Sequence, residues 1–171
     1  VLPIYQSTTY KYDSSEHVGK LFDLEAEGFF YSRLANPTVD AVEKKIAALE
    51  GGVGALLTSS GQAATFLAIT NICNQGDHLI ATSAIYGGTV NLFAVTLKKF
   101  GIDVTFVDPD ITVEELDTKF QDNTKLVFTE TIANPALIVA DLEKFVNVAH
   151  AHGVPCFVDN TFATPLNCRP F

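Results

Sequence analysis

Short apolar runs alternate with amphipathic segments along the chain from residue 54 onward. The runs favour strands, and the segments between them repeat apolar residues at the spacing of a helix. Strands are predicted at 54–58, 78–82, 102–108, 125–130 and 154–160. Helices are predicted at 61–73, 88–100, 112–120 and 141–152. Strands that alternate with helices in this way predict an α/β fold, with a mostly parallel sheet and helices on both of its faces.

Residues 1–36 show little periodicity and are rich in tyrosine and phenylalanine, so they are predicted to form an irregular N-terminal arm. A helix is predicted next, with Asn36 as N-cap, Pro37 at the first helical position and Gly51 at its end. The expected organisation is an arm at 1–36 followed by one domain at 37–171. Because the chain starts without methionine and stops soon after the last predicted strand, we expect it to be a piece of a longer polypeptide.

Composition and charge argue against several classes of partner. The sequence has 11 basic and 20 acidic residues, and the resulting net charge of −9 argues against nucleic acid and against an anionic membrane surface. No apolar run reaches the length of a membrane span, so cytoplasm is the expected location. His150 and His152 stand at i and i+2 on a predicted helix, where their side chains point apart, so no metal site is expected.

Polar, aromatic and glycine residues follow four of the predicted strands. In a parallel sheet covered by helices, ligands bind outside the carboxyl ends of the strands. The residues at these ends are Ser59, Ser60, Gly61, Gln62, Tyr86, Gly87, Gly88, Glu130, Asn134, Asp159, Asn160 and Thr161. The sequence therefore predicts a ligand site at this edge of the sheet.

Three of these loops indicate a particular chemistry. "TSSGQAA", residues 58–64, turns a strand into a helix through small residues and exposes backbone N–H groups, which suits an anion, although a turn capped by serine explains it equally well. Tyr86 offers a flat aromatic surface, or packs beside its own loop. Asp159 directly follows an apolar strand, so its carboxylate needs either a ligand cation or neighbouring N–H donors.

Pyridoxal phosphate has a complement for each of these three features. Its phosphate suits the N–H groups of residues 58–64, its flat ring suits Tyr86, and its pyridine nitrogen suits Asp159. An ionised Asp159 would keep that nitrogen protonated, and the pyridinium withdraws electrons from the Cα atom of an amino-acid substrate. The sequence therefore predicts pyridoxal 5′-phosphate as the cofactor.

Motifs along nearly the whole chain resemble the γ-family of pyridoxal-phosphate enzymes of cysteine and methionine metabolism, the trans-sulfuration family. These motifs are "PIYQSTTY", "YSRLANPT", "EGG", "SSGQAA", "YGGT", "ETIANP" and "DNTFATP". The resemblance implies the large domain of the aspartate-aminotransferase type, or type I, here truncated. It also implies a homodimer or homotetramer in which active sites are shared between subunits.

The resemblance also implies a role for each residue at the site. Tyr86, which stacks on the cofactor ring, and Asp159, which holds the pyridine nitrogen, are the implied catalytic residues. Ser60, Gly61 and Gln62 are implied to bind the cofactor phosphate, Asn134 to lie near the ring hydroxyl, and Thr161 to lie beside Asp159. Tyr31 and Arg33 are implied to reach the phosphate of the cofactor in the neighbouring subunit.

Within the family, the motifs most resemble the O-acetylhomoserine sulfhydrylases. Methionine γ-lyases and the cystathionine γ-synthases and γ-lyases, which are the alternatives, usually carry methionine in place of Gln62. The implied reaction replaces acetate at Cγ of the amino-acid substrate by sulfide or a thiol, and Tyr86 assists proton transfer at the leaving group. None of the nine lysines fits the lysine that binds the cofactor covalently in the family. We expect that lysine beyond Phe171, so the chain alone is expected to be inactive, and a non-catalytic fragment is the second hypothesis.

Overall fold

A computed structural model describes residues 2–171, which divide into two compact units, one up to Leu57 and one from Thr58 to Phe171. The first unit contains the helices α1 (Ser15–Phe22) and α2 (Pro37–Glu50). α1 lies in the segment that was predicted to be irregular, and eight residues give too few turns for an apolar period to stand out. The separation of an arm at 1–36 from a domain at 37–171 stays a prediction.

The ends of α2 follow the predicted signals. The Asn36 side chain accepts the N–H of Thr38 at 2.9 Å, Pro37 is the first helical residue, and Gly51 ends the helix at φ +77°. This left-handed conformation favours glycine, because the Cβ of any other residue would clash with the backbone. The predicted N-cap and C-terminal stop of α2 are therefore confirmed.

The second unit is built on a four-stranded parallel sheet with the strand order β2-β1-β3-β4. The strands are β1 (His78–Thr82), β2 (Asp103–Val107), β3 (Thr124–Glu130) and β4 (Cys156–Asp159). The helices are α3 (Gly61–Ile72), α4 (Gly87–Asn91), α5 (Val113–Asp117), α6 (Leu142–Ala151) and α7 (Thr164–Asn167). These elements confirm the α/β class and four of the predicted strands.

Side chains alternate between two cores, one on each face of the sheet. Leu79 and Ala81 of β1 pack in the core that also holds Ile69 of α3. Ile80, between them, packs in the other core with Phe145 of α6. Because successive side chains of a strand point to opposite faces, this division shows helices covering both sides of the sheet, as predicted.

The strand predicted at 54–58 is wrong. Residues 54–58 form no strand, and Leu56 is 78% exposed. The backbone N–H of Leu57 is bonded to the Glu43 carboxylate on α2 at 2.7 Å instead of to a neighbouring strand. Four of the five residues of "GALLT" are glycine, alanine or leucine, which lack the β-branched or aromatic side chains that favour strands, so its apolar character was a weak signal.

The helix predicted at 88–100 is present but not uniform. α4 continues into a π-helical segment at Leu92–Leu97, which buries Phe93 and Leu97 in the core that contains β1. A π-helical turn is wider than an α-helical one, so it changes which side chains face the sheet. A search for the 3.6-residue period cannot show this widening.

The buried His78 makes stability dependent on pH. The ring of His78 is 1% exposed and bonds through Nδ1 to Thr124 and through Nε2 to Thr105, both at 2.8 Å. Burial lowers the pKa of His78 below its usual 6.5, with a smaller opposing effect of Asp103. The unfolded chain therefore takes up a proton first as the pH falls below 6.5, so stability is full above that pH and is lost below it.

We expect the free energy of unfolding to fall between about pH 7 and pH 5, and to fall less in a His78→Gln variant. Urea unfolding of both proteins at the two pH values measures this difference. His150, an exposed histidine on α6, provides the control, since His150→Gln is expected to keep the wild-type slope. Equal slopes for wild type and His78→Gln would contradict the assignment.

Candidate functional site

A cavity of about 370 Å³ lies in the second unit, where the ends of β3 and β4 meet the start of α3. This volume lies in the range of sites for small molecules. The residues that line it are Ser60, Gly61, Gln62, Tyr86, Glu130, Ile132, Asn134, Asp159, Thr161 and Phe162. Seven of the nine residues predicted for the site are therefore brought together, as the rule for carboxyl ends of parallel strands leads one to expect.

The start of α3 forms one wall of the cavity. The Ser60 hydroxyl caps the helix by accepting the N–H of Ala63 at 3.1 Å, and the Ser60 carbonyl accepts the N–H of Ala64 at 3.0 Å. These bonds leave the first two N–H groups of the helix, those of Gly61 and Gln62, for another acceptor. Both residues line the cavity, so this wall presents backbone donors and the positive end of a helix dipole to an anion.

The side chain of Gln62 has a separate contact. Its Nε2 donates to the hydroxyl of Thr89 on α4 at 2.9 Å, and Thr89 is completely buried. The amide therefore connects α3 to α4. The backbone N–H of Gln62, rather than its side-chain amide, is the group available to an anion in the cavity.

Tyr86 supplies an aromatic wall from the start of α4. Tyr86 lines the cavity and is 47% exposed. A Cβ atom added to Gly88 would lie 2.5 Å from Cε1 of this ring. The ring therefore depends on a glycine at position 88, because any side chain there would displace it.

Asp159 ends β4 and turns toward the loop that follows. Its Oδ1 accepts the backbone N–H of Thr161 at 3.0 Å and also the Thr161 hydroxyl. The sequence left open whether Asp159 meets neighbouring N–H donors or a ligand cation. It does meet a neighbouring donor, but both bonds involve the same oxygen, so Oδ2 can still accept a proton donor in the cavity.

Glu130, the last residue of β3, was identified at the strand end but was given no role at the site. Only 6% of it is exposed, and its oxygens accept the N–H of Tyr86 at 2.7 Å and the N–H of Asn134 at 3.4 Å. Burial raises the pKa of Glu130, the Tyr86 donor opposes this rise, and Asp159 adds to it. Ile132 and Phe162 were missed altogether, since apolar residues in loops carry no chemical signal.

Tyr31 and Arg33 belong to the first unit. The guanidinium of Arg33 lies 4.9 Å from the centre of the Tyr31 ring and donates a hydrogen bond to the Tyr31 hydroxyl. Arg33 is exposed, and its remaining donors can meet a phosphate. Their predicted role at a neighbouring subunit's cofactor stays a prediction.

The two histidines considered as a metal pair have other surroundings. His152 bonds to Asp117 at 2.7 Å and stacks on Phe120 with the ring centres 3.8 Å apart. Across residues 2–171, no three histidine, cysteine, aspartate or glutamate side chains are grouped so that they could hold a metal ion. Within the same range, no helix is both long and apolar enough to cross a membrane.

The chemistry of the cavity fits pyridoxal phosphate. Backbone donors at the start of α3 suit its phosphate, the Tyr86 ring suits its flat ring, and Oδ2 of Asp159 suits a protonated pyridine nitrogen. A site of this composition, at the carboxyl ends of parallel strands, defines the class of type I pyridoxal-phosphate proteins.

Comparison with known proteins identifies the family. The family model described as "Cys/Met metabolism PLP-dependent enzyme" matches residues 1–171, and the chain belongs to this family. The chain is 49% identical to a homocysteine/cysteine synthase of Kluyveromyces lactis and 50% identical to an O-acetyl-L-homoserine sulfhydrylase of Corynebacterium glutamicum. Both alignments cover 99% of the present chain. The family's cofactor is the one predicted from the sequence, so that prediction is confirmed.

A solved structure shows the same fold with the cofactor attached. A Campylobacter jejuni protein that holds N′-pyridoxyl-lysine-5′-monophosphate matches 99% of the chain and 42% of its own chain, with a TM-score of 0.93 and 39% sequence identity. The chain spans only 38% and 39% of the two curated relatives. The residues that line the cavity in the described part of the chain include no lysine.

Proposed function

We propose that the protein containing this chain is an O-acetylhomoserine sulfhydrylase, which converts O-acetylhomoserine and sulfide, or a thiol, into homocysteine, or methionine, and acetate. The observation that carries the proposal is the cavity that places the start of α3, Tyr86 and Asp159 around one volume. The names of the relatives in Kluyveromyces lactis and Corynebacterium glutamicum support this choice of reaction.

Each wall of the cavity has a proposed task. When bound, pyridoxal phosphate supplies a pyridinium ring that withdraws electrons from Cα of the substrate. The Asp159 carboxylate holds the proton at the ring nitrogen, and the N–H groups of Gly61 and Gln62 bind the phosphate. The Tyr86 ring covers one face of the cofactor and its hydroxyl moves a proton near Cγ. Asn134 orients the ring hydroxyl and the substrate carboxylate.

The remaining parts of the site come from outside the cavity. Arg33 and Tyr31 reach the phosphate from a neighbouring subunit, so the active protein is a homodimer or homotetramer. The lysine that binds the cofactor covalently lies in a part of the protein that this chain does not include. A cytoplasmic location stays a prediction.

Two other functions are separated from this one by specific observations. A methionine γ-lyase and a cystathionine enzyme are both disfavoured by Gln62, because these enzymes usually carry methionine at that position. A non-catalytic cofactor-binding fragment is favoured by one observation, the lack of a lysine among the residues that line the cavity.

Gly88 offers a test of the Tyr86 position. In Gly88→Ala the new methyl group meets the Tyr86 ring, so the ring must move off the cofactor, and we expect pyridoxal phosphate to bind about tenfold more weakly to the full-length protein. Fluorescence titration with the cofactor measures the change. Gly87→Ala is the matched control, because a Cβ at Gly87 meets no atom within 4 Å. Equal affinities in the two variants would contradict the proposed contact.

The assay that tests the function uses the full-length protein, loaded with pyridoxal phosphate. With O-acetylhomoserine and sulfide we expect homocysteine and acetate in equal amounts. Release of methanethiol from methionine would instead indicate a γ-lyase, and formation of cystathionine from cysteine would indicate a γ-synthase. Cofactor binding without any of these products would favour the non-catalytic alternative.

A further inference from the structure

Glu130 is a carboxylate at a buried position at the end of β3, which is energetically unfavourable for a charged group. Among residues 2–171 it is the only buried acidic side chain, and burying a carboxylate is unfavourable unless donors compensate. Its two oxygens accept backbone N–H groups from two different loops, the one that begins α4 at Tyr86 and the one that contains Asn134. The carboxylate thus connects the end of β3 to two walls of the cavity.

Glu130 and Asp159 lie side by side but have different partners. They are register partners in the parallel pair β3–β4, so their Cα atoms are separated by about one strand spacing, ~4.8 Å. Glu130 is bonded to the loops, whereas Asp159 accepts donors from Thr161 through Oδ1 only. Of the two neighbouring carboxylates, Asp159 therefore keeps an oxygen for a ligand and Glu130 does not.

We propose that Glu130 is a positioning residue, which fixes the Tyr86 loop and the Asn134 loop to the sheet edge and so sets the width of the slot for the cofactor ring. This inference rests on the proposed function, because the slot matters only if the ring lies between Tyr86 and the strand ends. The 2.7 Å bond to Tyr86 is the stronger of the two, since the Asn134 bond is 3.4 Å long.

Two substitutions at Glu130 and one at the far end of the same strand test the proposal in the full-length protein. Glu130→Gln keeps an oxygen for the Tyr86 N–H but turns an amide donor toward Asn134, and Glu130→Ala removes both acceptors. Thr124→Val is the matched control, because Thr124 begins β3, is buried, and bonds to His78 and to the N–H of Gln121, each at 2.8 Å. All three variants lose hydrogen bonds made by side chains of β3, but only the Glu130 variants lose them at the cavity.

The first measurement needs no cofactor. Hydrogen exchange of the Tyr86 amide reports the bond to Glu130 directly, and we expect it to be at least about tenfold faster in Glu130→Ala than in Thr124→Val at equal loss of global stability. Glu130→Gln should lie between Glu130→Ala and wild type. Unchanged exchange at Tyr86 in both Glu130 variants would overturn the positioning role. If Glu130→Ala does not fold, exchange of the Asn134 amide in Glu130→Gln carries the comparison, because in that variant the acceptor of the Asn134 N–H is lost.

The second measurement reports the slot. The visible circular dichroism of bound pyridoxal phosphate depends on the orientation of its ring, so we expect it to decrease in the order wild type, Glu130→Gln, Glu130→Ala, and the cofactor Kd to rise about tenfold in Glu130→Ala. Thr124→Val should keep the wild-type signal, and an equal change in that control would overturn the proposal. A wild-type protein that binds no pyridoxal phosphate would overturn the proposed function and this inference together, whereas a wild-type signal in both Glu130 variants would overturn the inference alone.

Discussion

Replacing Asp159 by asparagine is expected to reduce turnover of the full-length enzyme by at least about a hundredfold, the effect of removing a preorganised electrostatic partner of a transition state. The substitution keeps the size of the side chain but removes its charge, so the pyridine nitrogen loses the group that holds its proton. The cofactor should still bind, because the N–H groups at the start of α3 and the Tyr86 ring are unchanged. Steady-state kinetics and a cofactor titration of the same preparation separate the two effects.

The hydrogen bonds of Asp159 make this substitution informative. Asparagine retains an oxygen that can accept the N–H of Thr161, so the hydrogen bond that fixes the loop after β4 remains while the charge is removed. Asp108→Asn is the matched control, since Asp108 follows β2 and accepts the N–H of Asp110, two residues on, at 2.8 Å, in the same local arrangement. Near-normal turnover in Asp159→Asn would mean that Asp159 only braces its loop, and the proposed cofactor geometry would fail with it.

The site could be predicted from sequence to the extent that it depends on strand ends. β1 contains the run leucine, isoleucine and alanine, and β3 contains the run leucine, valine and phenylalanine, so both segments stand out as apolar in the sequence. Once such strands are known to be parallel, their carboxyl ends must share an edge, so Tyr86 and Asp159 had to lie at the same edge of the sheet. The chemistry of the site then followed from which side chains stand there.

What could not be predicted depends on the direction of side chains and on pairing in three dimensions. The sequence places Glu130 and Asp159 alike, each at the end of a strand, and only the structure shows that one is bonded to two loops while the other keeps an oxygen for the cavity. The amide of Gln62 likewise has no sequence signal that directs it to Thr89. The strand prediction at 54–58 was wrong for the same reason, because a strand requires a pairing partner that the local sequence does not specify.

Arg33→Ala is expected to weaken cofactor binding by roughly ten- to a hundredfold, the loss of a charged hydrogen bond to phosphate. The fold should tolerate the change, since Arg33 is exposed and, within residues 2–171, its guanidinium bonds to the Tyr31 hydroxyl and lies over the Tyr31 ring. The segment around it is held independently by Asn36, whose Nδ2 donates to the Tyr5 carbonyl, the Tyr10 hydroxyl and the Ser32 hydroxyl, each at 3.0 Å. Cofactor titration together with thermal unfolding measures both expectations.

Mixing subunits decides whether Arg33 acts on its own subunit or on a neighbour. If sites are shared, a mixed dimer of Arg33→Ala and Asp159→Asn has one site with both defects and one site with neither, so random reassembly should restore about a quarter of wild-type activity. If each subunit uses its own Arg33, every site in the mixture keeps one defect, and no activity returns at a cofactor concentration too low to load Arg33→Ala alone. Arg169, the other arginine of the chain, is exposed, and its Nε donates to the Pro165 carbonyl. Arg169→Ala is therefore the control for Arg33→Ala and should leave cofactor affinity unchanged. Restored activity in the mixture would therefore assign the phosphate contact to the neighbouring subunit, because no single polypeptide in it carries both intact residues.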